Sequence, residues 1–262
     1  MKKILQEIRA SIILTTKDCL SHSALLVEFS LGAFIYSMVS IYLYKGENSP
    51  NSVFYMLLGA GAMGVWESTL LGGAWALRDE KEQGLLEYYL CAPSNLLAII
   101  FGKCIVYTVI GLIVILEIVL FIYFNFDLSG IFVDYYKLSF AFLLLIFCFS
   151  IMGFILSFGF LLIRSFVHVS NFLSDSIKLF CGVLFPITVL PVGFKVISVI
   201  LPPTWGVEIM RTSLINNSDT YVSFNGALLI IILLATIYIT GTIYLYKTIE
   251  TKIRIKGELS KF

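Results

Sequence analysis

Arg164, His168, Asn171, Asp175 and Lys178, followed by Gly182, advance by three or four residues each, a spacing that puts them on one side of a helix. The chain around them is apolar. A polar stripe running into a membrane cannot face lipid, so it must face a cavity, another helix or a second subunit. The chemistry open to it is ion pairing, hydrogen bonding or proton handling along a water-filled wall. An Asp175–Lys178 pair could close on itself, but His168 and Asn171 would then be unexplained, so the expectation is a vestibule wall or a subunit interface. Glu67 and Glu117 also fall within apolar runs. An ionised carboxylate at the centre of a span costs about 2.5–3.5 kcal/mol on insertion scales. Glu67 therefore needs a partner, a neutral form or a water path. Glu117 is expected to be a protonated or hydrogen-bonded acid buried between helices, and Glu28 a tolerated charge near a membrane face.

The elements that must position these groups follow from composition. Hydrophobic residues make up 59% of the 262-residue chain and charged residues 13%, with a mean hydropathy of +0.95. Soluble domains carry about 25% charged residues, so the chain is expected to be an integral membrane protein. The predicted architecture is all-α, a single transmembrane domain over residues 1–262. Its apolar runs are long enough to cross a bilayer at residues 24–44, 52–77, 96–124, 139–163, 167–190 and 225–246. The runs are continuous, without the alternation of barrel strands. Little chain remains for a soluble domain.

Net charge is +1, so only its distribution is informative. Lys2, Lys3, Arg9 and Lys17 precede the first span. Arg78, Lys81, Lys103 and Arg164 mark alternate loops, and Lys247, Lys252, Arg254, Lys256 and Lys261 lie in the tail, residues 247–262. Basic residues stay on the cytoplasmic side, which puts both termini inside. None of the five cysteines falls in an external loop, so no disulfide is expected, and no Cys/His cluster has metal-ligand spacing. Residues 1–20 lack the apolar block of a cleavable signal. Ile4, Leu5, Ile8 and Ile12 share a helical face there, which predicts an amphipathic helix lying at the membrane surface.

In the second span Ala60, Gly64, Ser68, Gly72 and Ala76 recur every fourth residue. Such a stripe lets helix backbones approach closely in lipid, within the chain or between two copies. Proline is absent from the spans other than at the end of the fifth, so they are expected to be straight. Pro186, Pro191, Pro202 and Pro203 cluster around the apolar stretch Val192–Leu201. That stretch is too short to span, and the segment 191–211 is expected to dip back into the outer leaflet. Between spans two and three lies a polar interruption, residues 78–93. Five charges fall within Arg78–Glu82, then Leu85, Leu86, Tyr89 and Leu90 come at helical spacing, and Pro93 closes the run. This predicts a short helix on the membrane face, offered to a partner. No phosphate loop occurs, because Gly102-Lys103-Cys104 lacks the upstream glycine and the hydroxyl. Neither G-x-S-x-G nor H-E-x-x-H is present. Any energy source is therefore a partner or an ion gradient.

Two stretches carry a resemblance. Glu82-Gln83-Gly84-Leu85-Leu86-Glu87-Tyr88-Tyr89-Leu90-Cys91-Ala92-Pro93 is similar to the cytoplasmic pattern of ABC-2 type ATP-binding-cassette permeases: an acid, G-T-L-E, two hydrophobics and a proline. Leu85 stands where that family has threonine. Cys181-Gly182-Val183-Leu184-Phe185-Pro186, then Leu190-Pro191, Leu201-Pro202 and Glu208 to Arg211, resemble its outer segment, with Cys181 in place of serine. The resemblance implies that residues 78–93 form a coupling helix docked on a separate ATPase subunit, present in two copies. ATP and Mg would be bound there and no cofactor in this chain. Glu80, Glu82 and Glu87 would meet basic groups on that ATPase, while Leu85, Leu86 and Leu90 fill its groove and Gly84 and Pro93 shape the element. A solvated helix face and ordinary capping are the plain alternatives. Gly64, Glu67, Ser68, Gly72, His168, Asn171, Asp175, Lys178, Gly182 and Phe185 would line a transport path or subunit interface. Pro186, Pro191, Pro202, Glu208 and Arg211 would form an external gate.

The implied partners are that ATPase, a second identical or homologous membrane subunit, and membrane lipid, with no nucleic acid. The implied location is a prokaryotic plasma membrane. Drug, antibiotic or peptide exporters fit better than exporters of polysaccharide or teichoic acid, whose Arg/Tyr-rich pattern before span one is missing from Thr15–Phe29. Two readings of other classes stay open. One is an intramembrane lipid-modifying enzyme using Glu67, Glu117 and His168; the other is a gradient-driven carrier using the same acids.

Overall fold

The computed structural model describes residues 2–21, 23–43, 59, 61–72, 80, 83–85, 88, 95–125, 135–161, 166–183, 187, 190–214 and 224–256. Among the described residues the fold is helical. Helix α1 is Lys2–Ser21, α2 Ser23–Leu43, α3 Leu96–Asn125, α4 Tyr135–Leu161 and α5 Phe166–Phe180. Then come α6 Val192–Ile200, α7 Pro202–Leu214 and α8 Phe224–Lys256. Residues 61–66 are α-helical and run into a π-helical turn, Glu67–Gly72. Among the described residues, the segments Leu96–Phe121, Tyr136–Ser157 and Phe224–Thr248 within α3, α4 and α8 are long and apolar enough to cross a membrane; α6 and α7 pass the same test only as a pair bent by 96°, a broken span or a re-entrant loop.

The helix of the expected second span, residues 61–72, lies at the centre of the buried core. Ala62, Met63, Val65, Trp66 and Leu70 are almost wholly buried, packed with Leu145, Phe149 and Met152 of α4 and with Trp205, Ile209 and Met210 of α7. The Trp66 ring lies 5.5 Å from that of Phe149, and its Nε1–H donates to Ser174 Oγ on α5 at 3.0 Å. A buried indole is stable there only because its one donor is satisfied.

The proline-free second span was expected to be regular, but it carries the π-helical turn. Thr69 Oγ1 donates to the Val65 carbonyl at 2.7 Å and Ser68 Oγ to the same carbonyl at 3.0 Å. Hydroxyls that bond back in this way compete with the helix ladder and bend it. The widened turn is received by glycines of neighbouring helices. A Cβ at Gly111 of α3 would sit 2.6 Å from Ser68 Oγ, and one at Gly153 of α4 would sit 3.1 Å from the Thr69 carbonyl oxygen.

The small-residue stripe packs within the chain. Gly64 meets Val114 of α3 and Ala33 of α2, and Ser68 meets Gly111. Gly64 and Ser68 are therefore buried within the chain and unavailable to a second copy. Ala60 and Ala76 lie outside the described residues.

Helix α1 forms as expected, but the face against α3 carries Ser11, Thr15 and Cys19, all buried. Ser11 Oγ donates to the Ile99 carbonyl at 2.7 Å, and a Cβ at Gly102 would lie 2.8 Å from that of Ser11. Ile4 and Leu5 stand exposed on another side. Asn95 caps α3 by accepting the Leu97 N–H at 3.1 Å. Its own N–H donates to Glu7 of α1, and it accepts Tyr246 of α8, each at 3.3 Å.

Helix α5 covers only the first part of the apolar run 167–190. It ends at Phe180 because Gly182 takes a φ of +70°, a left-handed conformation open chiefly to glycine and common just past a helix end. At 15 residues it is shorter than the ~20 needed to span. Glu117 also departs from expectation: it is exposed on α3 between exposed Leu116 and Leu120. The hydrophobic count saw its depth in the run but not which way it faces.

Candidate functional site

Three features collect the charged groups. The first joins the second span to α5. Lys178 Nζ donates to Glu67 Oε1 at 2.9 Å and to Asp175 Oδ1 at 3.3 Å. The ammonium is buried and the Glu67 side chain nearly so, whereas the Asp175 side chain is 74% exposed. The other oxygen of Glu67, Oε2, rests over Gly32 of α2, where a Cβ would approach to 2.7 Å. Glu67 is thus held from two sides by a cation and a glycine. The Asp175–Lys178 contact, which the sequence offered only as the alternative to a vestibule wall or subunit interface, exists, and Lys178 also crosses to Glu67, which spacing alone could not reveal. His168 and Asn171 occupy the turns of α5 preceding Asp175; their side chains lie outside the described residues.

The second feature joins α5 to α7. The guanidinium of Arg211 on α7 is buried, donates through Nη2 to the Gly182 carbonyl, and has Nη1 3.7 Å from Glu208 Oε2. The guanidinium satisfies a buried turn carbonyl two residues past the end of α5, which would otherwise lack water. Gly182 therefore forms the turn that Arg211 grips, and it lies buried. Pro202 opens α7, where its missing N–H costs nothing, and α6 stops at Leu201 with extended backbone. Trp205 Nε1–H donates to the Val199 carbonyl at 2.9 Å, and the Tyr238 hydroxyl of α8 donates to the Ile200 carbonyl at 3.2 Å. These two bonds fix the bend. Pro191 precedes α6 and is exposed. Phe185 and Pro186 lie outside the described residues.

The third feature is the polar segment after the second span. Glu80 is buried and paired with Lys103 of α3. The sequence expectation had Glu80 meeting basic groups on a partner; in the structure it faces Lys103 of the same chain. Gly84 follows with φ +72° and no atom within 4 Å of where a Cβ would stand. Its glycine is needed for backbone conformation, not for space. Beyond that turn Leu85 and Tyr88 are exposed. Glu82, Leu86, Glu87, Leu90 and Pro93 lie outside the described residues.

The arrangement is a helical membrane unit with a buried ion lock, a bent helix pair and a polar segment tied to α3. The family model of the ABC-2 type transporter matches residues 23–215. The chain belongs to the ABC-2 type transporter family. The match takes in the ion lock, the polar segment and the α6–α7 bend, while α1 and α8 lie outside it. None of the curated proteins compared matches the chain. The ABC-2 membrane domain is a permease component, and such domains pair with an ATPase subunit.

Proposed function

We propose that this ABC-2 chain is the membrane-spanning permease subunit of an exporter. It would move an amphipathic or hydrophobic cargo (a drug, antibiotic or peptide) outward, driven by ATP hydrolysis on a separate subunit. The observation that carries this reading is the polar segment: Glu80 is anchored to Lys103, Gly84 turns the chain, and Leu85 and Tyr88 are left exposed. A segment fixed at its base and apolar at its tip is suited to being gripped by another protein. Force applied at the tip would reach α3 through the Glu80–Lys103 pair, and the buried core beyond it. On this reading residues 78–93 act as the coupling helix, α6 and α7 form a re-entrant outer gate, two membrane subunits work together in a plasma membrane, and both termini face the cytoplasm.

Co-purification with a separately encoded ATPase, followed by ATPase assays, tests the reading. Gly84→Pro, which cannot adopt a positive φ, should leave membrane insertion intact and abolish permease-stimulated hydrolysis. Normal stimulation by that variant, or transport without any nucleotide-hydrolysing companion, overturns it.

A further inference from the structure

We infer that the exposed carboxylate of Asp175, beside the Glu67–Lys178 lock, is a recognition point for a hydrophobic cation. The inference rests on the transport reading above and names the charge class of its cargo.

The triad holds two carboxylates and one ammonium, so formally one negative charge is in excess. The ammonium is buried and already shared, and Glu67 is enclosed by Lys178 and Gly32. The approachable part of the cluster is therefore anionic and belongs to Asp175, whose side chain is 74% exposed. Phe172 precedes it by three residues and Leu179 follows it by four, one face of α5; Phe172 is 72% exposed and Leu179 46%. A phenyl ring, a carboxylate and a leucine on one open face match a ligand with an apolar body and a positive charge, because the ring and the carboxylate both attract cations. The sequence run is apolar enough to lie in the membrane, where an ionised side chain on an outward face needs water or a partner. An anionic cargo would meet Asp175 first and be repelled, since the Lys178 ammonium behind it is enclosed.

The test is equilibrium dialysis of the purified chain, with its co-purifying ATPase where retained, against tetraphenylphosphonium and tetraphenylborate. These ions share a shape and differ in sign. Wild type should bind the phosphonium about tenfold more tightly than the borate, and Asp175→Asn should lose about tenfold of phosphonium affinity. Asp175→Glu should keep the preference. Equal binding of the two ions by wild type overturns the inference without needing any variant. So does unchanged phosphonium binding by Asp175→Asn, or a change of oligomeric state in that variant, which would assign the carboxylate to a contact with a second copy. Binding is read without nucleotide, so the two readings fail separately. Phosphonium binding by a chain that transports without ATP sinks the transport reading alone, and ATP-driven export indifferent to charge sinks this one alone.

Discussion

Lys178 of α5 donates to Glu67 of the second span across 2.9 Å, though 111 positions separate them in the chain. The pair clips two helices at the depth where span two widens into its π-helical turn. Removing one member of a buried pair strands the other charge, at a cost of about 3–5 kcal/mol, whereas an apolar replacement of both is often close to neutral. Lys178→Met should therefore destabilise strongly, and adding Glu67→Leu should recover much of the loss. Thermal unfolding of the three variants in detergent measures the coupling; additive losses would refute it.

The glycine socket around the π-turn predicts a graded series. Gly111→Ala puts a methyl 2.6 Å from Ser68 Oγ, and Gly153→Ala puts one 3.1 Å from the Thr69 carbonyl oxygen. Overpacking of this kind costs about 1–3 kcal/mol. Gly159→Ala, with nothing within 4 Å, is the control and should be near neutral or slightly stabilising, because alanine favours helix. Melting temperatures that fail to separate the first two from the third would contradict the packing.

Arg211 ties α7 to the end of α5 through the Gly182 carbonyl. Lysine keeps the charge but not the planar fork. Arg211→Lys should retain insertion yet loosen the Gly182 turn, and Arg211→Met should lose about 3–5 kcal/mol by taking the buried guanidinium away from the Gly182 carbonyl and Glu208. Protease protection of the Cys181–Gly182 turn reads the first effect, and thermal unfolding reads the second.

The Glu80–Lys103 pair anchors the polar segment. Glu80→Gln should weaken the anchor while leaving Leu85 and Tyr88 exposed as they are in wild type. Binding of the partner ATPase should then be nearly unchanged, while its stimulated hydrolysis falls several-fold. Loss of binding together with hydrolysis would instead mean that Glu80 touches the partner directly.

Cys19 on α1 is buried against α3, and burial pushes its thiol above the ordinary value even though a hydrogen bond with Tyr107 pulls the other way. Thiolate is the reactive form, so a raised value means less thiolate at any given pH. Alkylation of Cys19 by a soluble maleimide should be slow at neutral pH and rise only at more alkaline pH than for a free thiol. Tyr107→Phe removes the hydrogen bond, which should shift that rise further upward. Mass-spectrometric labelling across pH checks both.

By itself the sequence determined that the chain is a helical membrane protein with a polar interruption after the second span, because long apolar runs and isolated charges are properties of local composition. It also placed Asp175 and Lys178 on one face, since helical spacing is local. Tertiary structure alone decided where the stripe Gly64–Ser68 faces, that Glu80 turns inward to Lys103, that Glu117 turns outward, and that Lys178 chooses Glu67. It also decided that α5 stops at Phe180, gripped by an arginine far along the chain. Each of these depends on which helices lie side by side, and adjacency between distant segments leaves no periodic trace in the residues that use it.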